Sequence, residues 1–411
     1  MCSSLVSDQI LAAVGCRCKK LTQLSLKNCS RLTTKALKEI PINLLCLQLI
    51  NLSGCLACTD DVLNLLGTSC PELRVLRVES CSMVTDAGVD GLCGDDNNPK
   101  CRKLREVNLT STGITSYGMQ KMLNSQLELQ KLSLALTISS ETFELSSGSR
   151  SLLKLSSVDL SYTSITDTSI KSLCEICPML CELSVNCCTS VTAVSLQYIA
   201  SLKHLRALSI ADNTTIKFHP HIAQFLAKSG DSLKALNISG MENVDTEVLG
   251  VCCKSLKCLI MADCREVTGS FIHVSTGQES KSLSLSQACP KLNILNLHSC
   301  LFTQHKSLSE HLAAILPNSA ELQELDFSGI EKLSDEIVLL FIQSSNLSNL
   351  RSMNISRCCE ISVAPIELLV EVCKSLTQLN LSHCRNISLR DAESLRKLSR
   401  DHGVRLNITW V

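Results

Sequence analysis

The 411-residue chain balances 39 Lys+Arg against 39 Asp+Glu and carries only one Trp, three Tyr and seven Phe. Such a surface argues against nucleic acid or an anionic membrane as the main partner, and so few rings argue against stacking platforms for bases or sugars. Its longest apolar runs, around Ile337–Ile342 and Leu44–Ile50, fall far short of a membrane span.

The N-terminus lacks a basic stretch ahead of an apolar one, so no signal peptide is expected. Asp8–Val14 reads as the helix of a repeat whose strand is missing, and residues 1–20 are assigned to that incomplete repeat. From Leu21 onward one phrase returns, Leu-x-x-Leu-x-Leu-x-x-Cys. Close copies end at Cys29, Cys81, Cys264, Cys300 and Cys384, and looser ones at Cys55, Thr112, Thr137, Thr163, Cys188, Asn213, Met241, Ile330 and Cys358. These 14 copies cover 355 residues from Cys29 to Cys384 in 13 steps, a mean of about 27 per step. That period predicts an α/β leucine-rich-repeat solenoid, a right-handed horseshoe with parallel strands on the concave face and helices on the convex face. Residues 21–403 form the array.

Within a copy, Leu379 and Leu381 are expected to face the core, with Gln378, Asn380 and Ser382 outward, because strand side chains alternate. Thr59-Asp60, Thr85-Asp86, Thr166-Asp167 and Ser334-Asp335 then open helices, a hydroxyl capping the free N–H groups and the acid suiting the helix dipole. Cys70-Pro71, Cys177-Pro178 and Cys289-Pro290 close them. Two long steps hold polar stretches, 94–99 and Ser275–Ser282, which read as protruding loops, while Glu141–Ser151 makes a poor helix. Residues 404–411 are expected to form a capping strand with Trp410 over the end.

The 26 cysteines fall in phase with the repeat, where Thr, Asn, Ile or Met also occur. They are therefore expected to pack as small hydrophobes in a reducing compartment, cytoplasm or nucleus, rather than pair as disulfides. Cys55-x-x-Cys58 has the spacing of half a zinc site without a second half, and His219-Pro-His221 lacks further ligands. No phosphate-binding glycine loop or nucleophile-elbow phrase occurs. Neither a cofactor nor an enzymatic activity is expected.

The stretch from Cys70-Pro-Glu-Leu73 through Cys81-Ser-Met-Val-Thr-Asp86 resembles the cysteine-containing repeats of F-box/LRR proteins, and it is similar to those of the antagonist-of-mitotic-exit-network type. The resemblance runs over nearly the whole chain. It implies a protein-interaction module, the substrate-recognition part of a cullin–RING (SCF-type) ubiquitin ligase. The ligase adaptor would be reached through an F-box upstream, since none is seen before Leu21. The alternative it implies is a stand-alone scaffold or inhibitor that binds a signalling protein without ubiquitin chemistry.

A partner is expected on the outward strand positions. The column before the last strand leucine is small and polar, which ordinary solvation explains. Ala207, Ala211, Ala235, Cys258, Ile260, Ala262 and Ile294 break that pattern as an apolar strip. It is either a docking site or a floor covered by the Ser275–Ser282 stretch. A second cluster, Leu49, Val75, Arg77 and Glu79, lies near the N-terminal end.

Overall fold

The computed structural model describes residues 6–95, 100–137, 154–269, 272–276, 279–316, 320–344 and 347–411, with backbone only at 272–276, 279–282 and 344. They fall into two compact units, Met1–Leu205 and Arg206–Val411. The first runs α1 (Asp8–Arg17), β1 (Gln23–Ser25), α2 (Thr34–Asn43), β2 (Leu49–Asn51), α3 (Asp60–Ser69), β3 (Val75–Arg77), α4 (Asp86–Cys93), β4 (Glu106–Asn108), α5 (Ser116–Ser125), β5 (Lys131–Ser133), β6 (Ser157–Asp159), α6 (Asp167–Ile176), β7 (Glu182–Ser184) and α7 (Ala193–Ile199). The second begins with β8 (Ala207–Ser209), α8 (Ala223–Ser229), β9 (Ala235–Asn237), α9 (Thr246–Cys252), β10 (Cys258–Ile260), β11 (Ile272–Thr276), β12 (Glu279–Leu283) and α10 (Leu285–Ala288). It continues with β13 (Ile294–Asn296), α11 (Leu308–Ile315), β14 (Glu324–Asp326), α12 (Asp335–Ser344), β15 (Ser352–Asn354), α13 (Ala364–Val372), β16 (Gln378–Asn380), α14 (Leu389–Asp401) and β17 (Asn407–Thr409).

Within each unit the repeat strands pair in parallel, each with the next in the chain. Three residues make a strand: the central one is buried and its neighbours face outward, as in β16, where Leu379 is buried between Gln378 and Asn380. Such a strand has no stability alone; its leucines are worth about 1.5–3 kcal/mol each only when stacking removes them from water. The helices form the second layer and stop at the anticipated cysteines, with Cys70, Cys177 and Cys289 as C-caps. Helix α1 runs to Arg17, one turn past the predicted Val14. The poor-helix stretch Glu141–Ser151 and residues 96–99 lie outside the described residues. At the C-terminus β17 pairs with β16, and Trp410 donates from Nε1 to the Ile387 carbonyl at 2.9 Å.

The acid that opens many helices does more than meet a helix dipole. Asp60 Oδ1 accepts from Thr85 N and Oδ2 from Thr85 Oγ1, both at 2.7 Å, so it grips the N-cap of the following repeat. The same two-point clamp joins Asp8 to Thr33, Asp86 to Thr115, Asp167 to Thr192 and Asp335 to Ser362. In α2 the corresponding residue is Thr34, whose hydroxyl goes instead to the Ala57 carbonyl at 2.9 Å. The next N-cap hydroxyl, Thr59 Oγ1, is accordingly buried without a hydrogen-bond partner.

The repeat cysteines are likewise more than small hydrophobes. Cys55 Sγ donates to the carbonyl of Leu26, the last strand leucine of the preceding repeat, at 3.1 Å. Cys81, Cys188, Cys264, Cys300, Cys358 and Cys384 do the same to Leu52, Leu160, Ile238, Met261, Phe327 and Ile355. Burial pushes the Cys55 thiol up to about 11 and that of Cys358 to about 12, so each keeps the proton it donates. Where Thr or Asn replaces Cys, the side chain bonds its own repeat instead: Thr112 to Leu109, Asn213 to Ile210. Where Cys, Thr or Asn stands the position supplies a buried donor, which apolar packing alone does not explain; Met241 and Ile330 fill it without one.

The residue just before each of these positions has left-handed φ, from 51° at Ser299 to 74° at Gly240, although most are not glycine. At Gly240 a Cβ would meet Asp212 Oδ1 of the preceding repeat, so a larger residue there requires that carboxylate to move. The Ser275–Ser282 stretch departs from expectation. It belongs to an antiparallel hairpin of β11 and β12, with Ile272 opposite Leu283 and Thr276 opposite Glu279. The strand pair is inserted ahead of the repeat's helix, which is reduced to the four residues of α10. Just before the hairpin, the Gly269 amide donates to Nδ1 of the buried His311 at 3.0 Å, while His311 Nε2 lies 3.0 Å from the Thr303 carbonyl.

Replacing Thr34 by Asp should complete the missing clamp and satisfy Thr59. Thermal or urea unfolding is expected to show a gain of about 1 kcal/mol, and an unchanged or lowered midpoint would refute the account. A second outcome concerns pH. Hydrogen bonds from Thr33 hold the Asp8 carboxyl below its usual value. At Asp167 burial alone would raise the value, but hydrogen bonds from Ser195 and Thr192 outweigh it and lower it. A depressed folded-state value means that the unfolded chain protonates first, so stability is full above about pH 4 and declines as pH falls below it. Melting curves from pH 6 to pH 2.5 should show this slope, and Asp167→Asn should flatten it.

Candidate functional site

In eight of the repeat strands the second outward position has a structural task beyond solvation. Asn51, Asn108, Asp159, Asn237, Asn296, Asp326, Asn354 and Asn380 each accept, through Oδ1, the amide two residues on. This Asx cap closes the strand end and frees the chain for its left-handed turn. Any other residue here leaves that amide to be satisfied elsewhere.

Ile260 is such a departure. It pairs between Asn237 and Asn296, and the amide it fails to cap, Ala262 N, bonds instead to Ser239 Oγ of the neighbouring strand at 3.1 Å. The candidates around it fall into register. Ala207, Ala235, Cys258 and Ile294 are direct neighbours across β8, β9, β10 and β13. Cys258 and Ile260 lie on β10 and Ala262 in the turn just past it, so the apolar surface is a cross centred on that strand. All six are half-buried. Burial and the Glu324 carboxylate push the Cys258 thiol up, which keeps it uncharged at neutral pH. Ala211 does not belong to the surface: it is 4 % exposed and lies in the core. Beyond the strand the chain begins its turn, and the simple alternation of sides no longer holds. The hairpin packs β11 against α9 and β12 against α10, with the helices. This does not match the floor-covering arrangement considered for Ser275–Ser282.

In the first unit Leu49 and Val75 are direct neighbours, and all four members of the cluster are half-buried. Arg77 is engaged, donating from Nε to Glu106 Oε1 of the next strand at 2.8 Å and forming an ion pair with it at 2.6 Å. The Glu79 carbonyl accepts Gly54 N at 2.7 Å.

Two features escaped sequence reasoning. Ser328 Oγ donates to Asp326 Oδ1 at 2.5 Å and lies 2.7 Å from His298 Nδ1, while Asn354 Nδ2 donates to Asp326 Oδ2 at 2.9 Å. These residues come from three adjacent strand ends, and only the register brings them together. A nucleophilic triad would need the acid to orient the histidine; here Asp326 receives the serine proton. The second feature is a set of lysines, Lys234, Lys254, Lys257 and Lys291, where the chain enters β9, β10 and β13. The phrase Lys-Ser-Leu-Lys at Lys254–Lys257, with Asp-Ser-Leu-Lys one repeat earlier at Asp231–Lys234, was the available signal. Among the described residues no group of three or more His, Cys, Asp or Glu is placed to hold a metal, no cysteine is in a disulfide, and no helix is long and apolar enough to cross a membrane. Cys55 and Cys58 are both fully buried, and His221 Nδ1 accepts from Lys217 N at 3.2 Å.

Repeated strand–turn–helix units with leucines facing the core define the chain as an α/β solenoid of leucine-rich repeats. The family model described as Leucine Rich repeat matches residues 100–123, spanning β4 and most of α5, and residues 372–395, spanning β16 and the start of α14. Among solved structures the chain is similar to that titled as the Rad7 and Elc1 complex in yeast, with a TM-score of 0.51 and 14% identity over 94% of this chain and 81% of that one. Since 204 chains of solved structures match it, this likeness speaks to architecture alone.

Ile260→Asn restores the Asx cap found on both neighbouring strands. Its melting temperature should equal or exceed that of the wild type, the cap contributing about 0.5–1 kcal/mol. A fall of several degrees would mean that Ile260 is held by folding rather than by binding.

Proposed function

We propose that this chain captures a protein partner on the outward strand face of its second unit, as the substrate-recognition part of a cullin–RING ubiquitin ligase. Ile260 carries the capture half. An apolar side chain stands where both neighbouring strands place a cap, and the backbone amide has had to find a substitute acceptor. Nothing in the fold asks for it, and it lies among other half-exposed apolar side chains in register. A contiguous apolar patch on a polar face is the usual mark of a docking surface. The ligase half is supported by the likeness of the Cys70–Asp86 phrase to F-box/LRR repeats, and by a solved neighbour that is itself a complex with a second protein. The abundance of buried thiols supports a reducing compartment, cytoplasm or nucleus.

The test is purification of the tagged chain from its native cells with ligase activity blocked, followed by mass spectrometry. Cullin and adaptor subunits should be recovered along with a substrate, and Ile260→Glu or Ala235→Arg should remove the substrate while leaving the ligase subunits. Recovery of partners without any ligase subunit would leave a stand-alone scaffold or inhibitor instead. An unchanged substrate list in both variants would move the docking site off this face.

A further inference from the structure

The apolar row of the second unit is bordered on one side by lysines that the fold leaves uncompensated. Lys234 and Lys257 each stand immediately before the first outward residue of β9 and β10, and their backbones are joined in register, Lys257 N to Lys234 O at 2.8 Å. Lys254 and Lys291 sit in the turns leading into β10 and β13. All four are exposed, and none forms an ion pair with a described residue. The turns at 230–234, 253–257 and 289–293 contain a single acid, Asp231.

The first unit also sets like beside like at this position of the repeat, Arg105 N meeting Arg74 O at 2.8 Å, but at other positions it pairs its charges. Lys103 pairs with Glu72, Lys154 with Glu128 and Arg77 with Glu106, each across one repeat step. In the second unit the step carries Lys beside Lys. Adjacent strands lie about 4.8 Å apart, so the backbones of Lys234 and Lys257 hold two like charges close together, which costs stability rather than adding to it. An anionic ligand would reverse that sign.

We infer that the captured segment is acidic: a stretch of protein chain in which carboxylates flank apolar side chains. The apolar groups would lie on Ala235, Cys258, Ile260 and Ile294, and the carboxylates beside Lys234 and Lys257. This deepens the capture proposal and rests on it. The apolar row selects a protein segment over a nucleic acid, because no aromatic residue stands in it to stack a base. The lysines form the rim, so they set encounter rate and selectivity more than total affinity, and their effect fades with salt.

The experiment is selection of displayed random 12-residue peptides on the immobilised full chain, followed by fluorescence anisotropy of the binders. The binders should be enriched in Asp and Glu next to Leu, Ile or Phe. Lys234→Glu/Lys257→Glu should weaken them about tenfold at 0.1 M salt and much less at 0.5 M. The charge-matched control Arg390→Glu/Lys397→Glu, on exposed positions of α14, should leave them unchanged. Binders that are lost with Ile260→Asn but carry no acidic bias would overturn the acidic chemistry and leave the docking face standing. Equal losses in the control would reduce the effect to overall charge and overturn the inference. If single-stranded RNA is bound and lost with the lysine pair, the edge is a nucleic-acid surface and the inference falls. A selection that yields nothing sensitive to Ile260→Asn overturns the capture proposal itself.

Discussion

A three-residue strand followed by a left-handed turn, and a helix that starts on free N–H groups, leave polar groups which a single repeat has no means to satisfy. The adjoining repeat supplies the partners. Asp60 reaches forward to the N-cap Thr85, and Cys81 reaches back to the Leu52 carbonyl. Each contact is buried or half-buried, where an unmade hydrogen bond costs more than a made one contributes. The leucines make stacking favourable, but these bonds make it specific, because they form only when neighbouring repeats are in register. Thr59, left without a partner after Thr34, shows what the array looks like where one such bond is missing.

The same constraint makes the outward strand face readable. In eight strands its second position is held by Asn or Asp for the sake of the backbone, and on the strands either side of Ile260 the cap is present, so the structure records where the missing one was made good. At Ile260 the substitute is Ser239. Its neighbours Ala235, Cys258 and Ile294 occupy positions that no cap requires, and by themselves would be unremarkable surface residues. The register turns them from scattered side chains into one surface with Ile260 at its centre.

The charges divide along the same lines. In the first unit Lys38, Lys103, Lys154 and Arg77 meet carboxylates one repeat away, so Arg77 is spent on Glu106 within the fold. In the second unit lysines border the apolar row without such partners among the described residues. Compensated charges serve solubility and add little stability at an exposed site. Uncompensated ones aligned beside an apolar surface select among partners.

The sequence alone determined the repeat period, the inward leucines, the helix starts at Thr/Ser-Asp and the helix ends at Cys-Pro, because each depends on side-chain chemistry at fixed spacing within one repeat. It also carried most of the apolar surface, since outward positions follow from alternation along a strand. Ala211 lies past the strand, where alternation does not fix the side: it is buried, while Ala262 at the same position of a later repeat stays half-buried. Tertiary structure alone decided everything that acts between repeats. A hydroxyl and a carboxylate 25 residues apart, a thiol and a carbonyl from successive turns, and His298 beside Ser328 are far apart in the chain; stacking puts them within 3.5 Å. The pairing of β11 with β12 was hidden for a related reason: the repeat phrase does not extend into these residues, so its period says nothing of them.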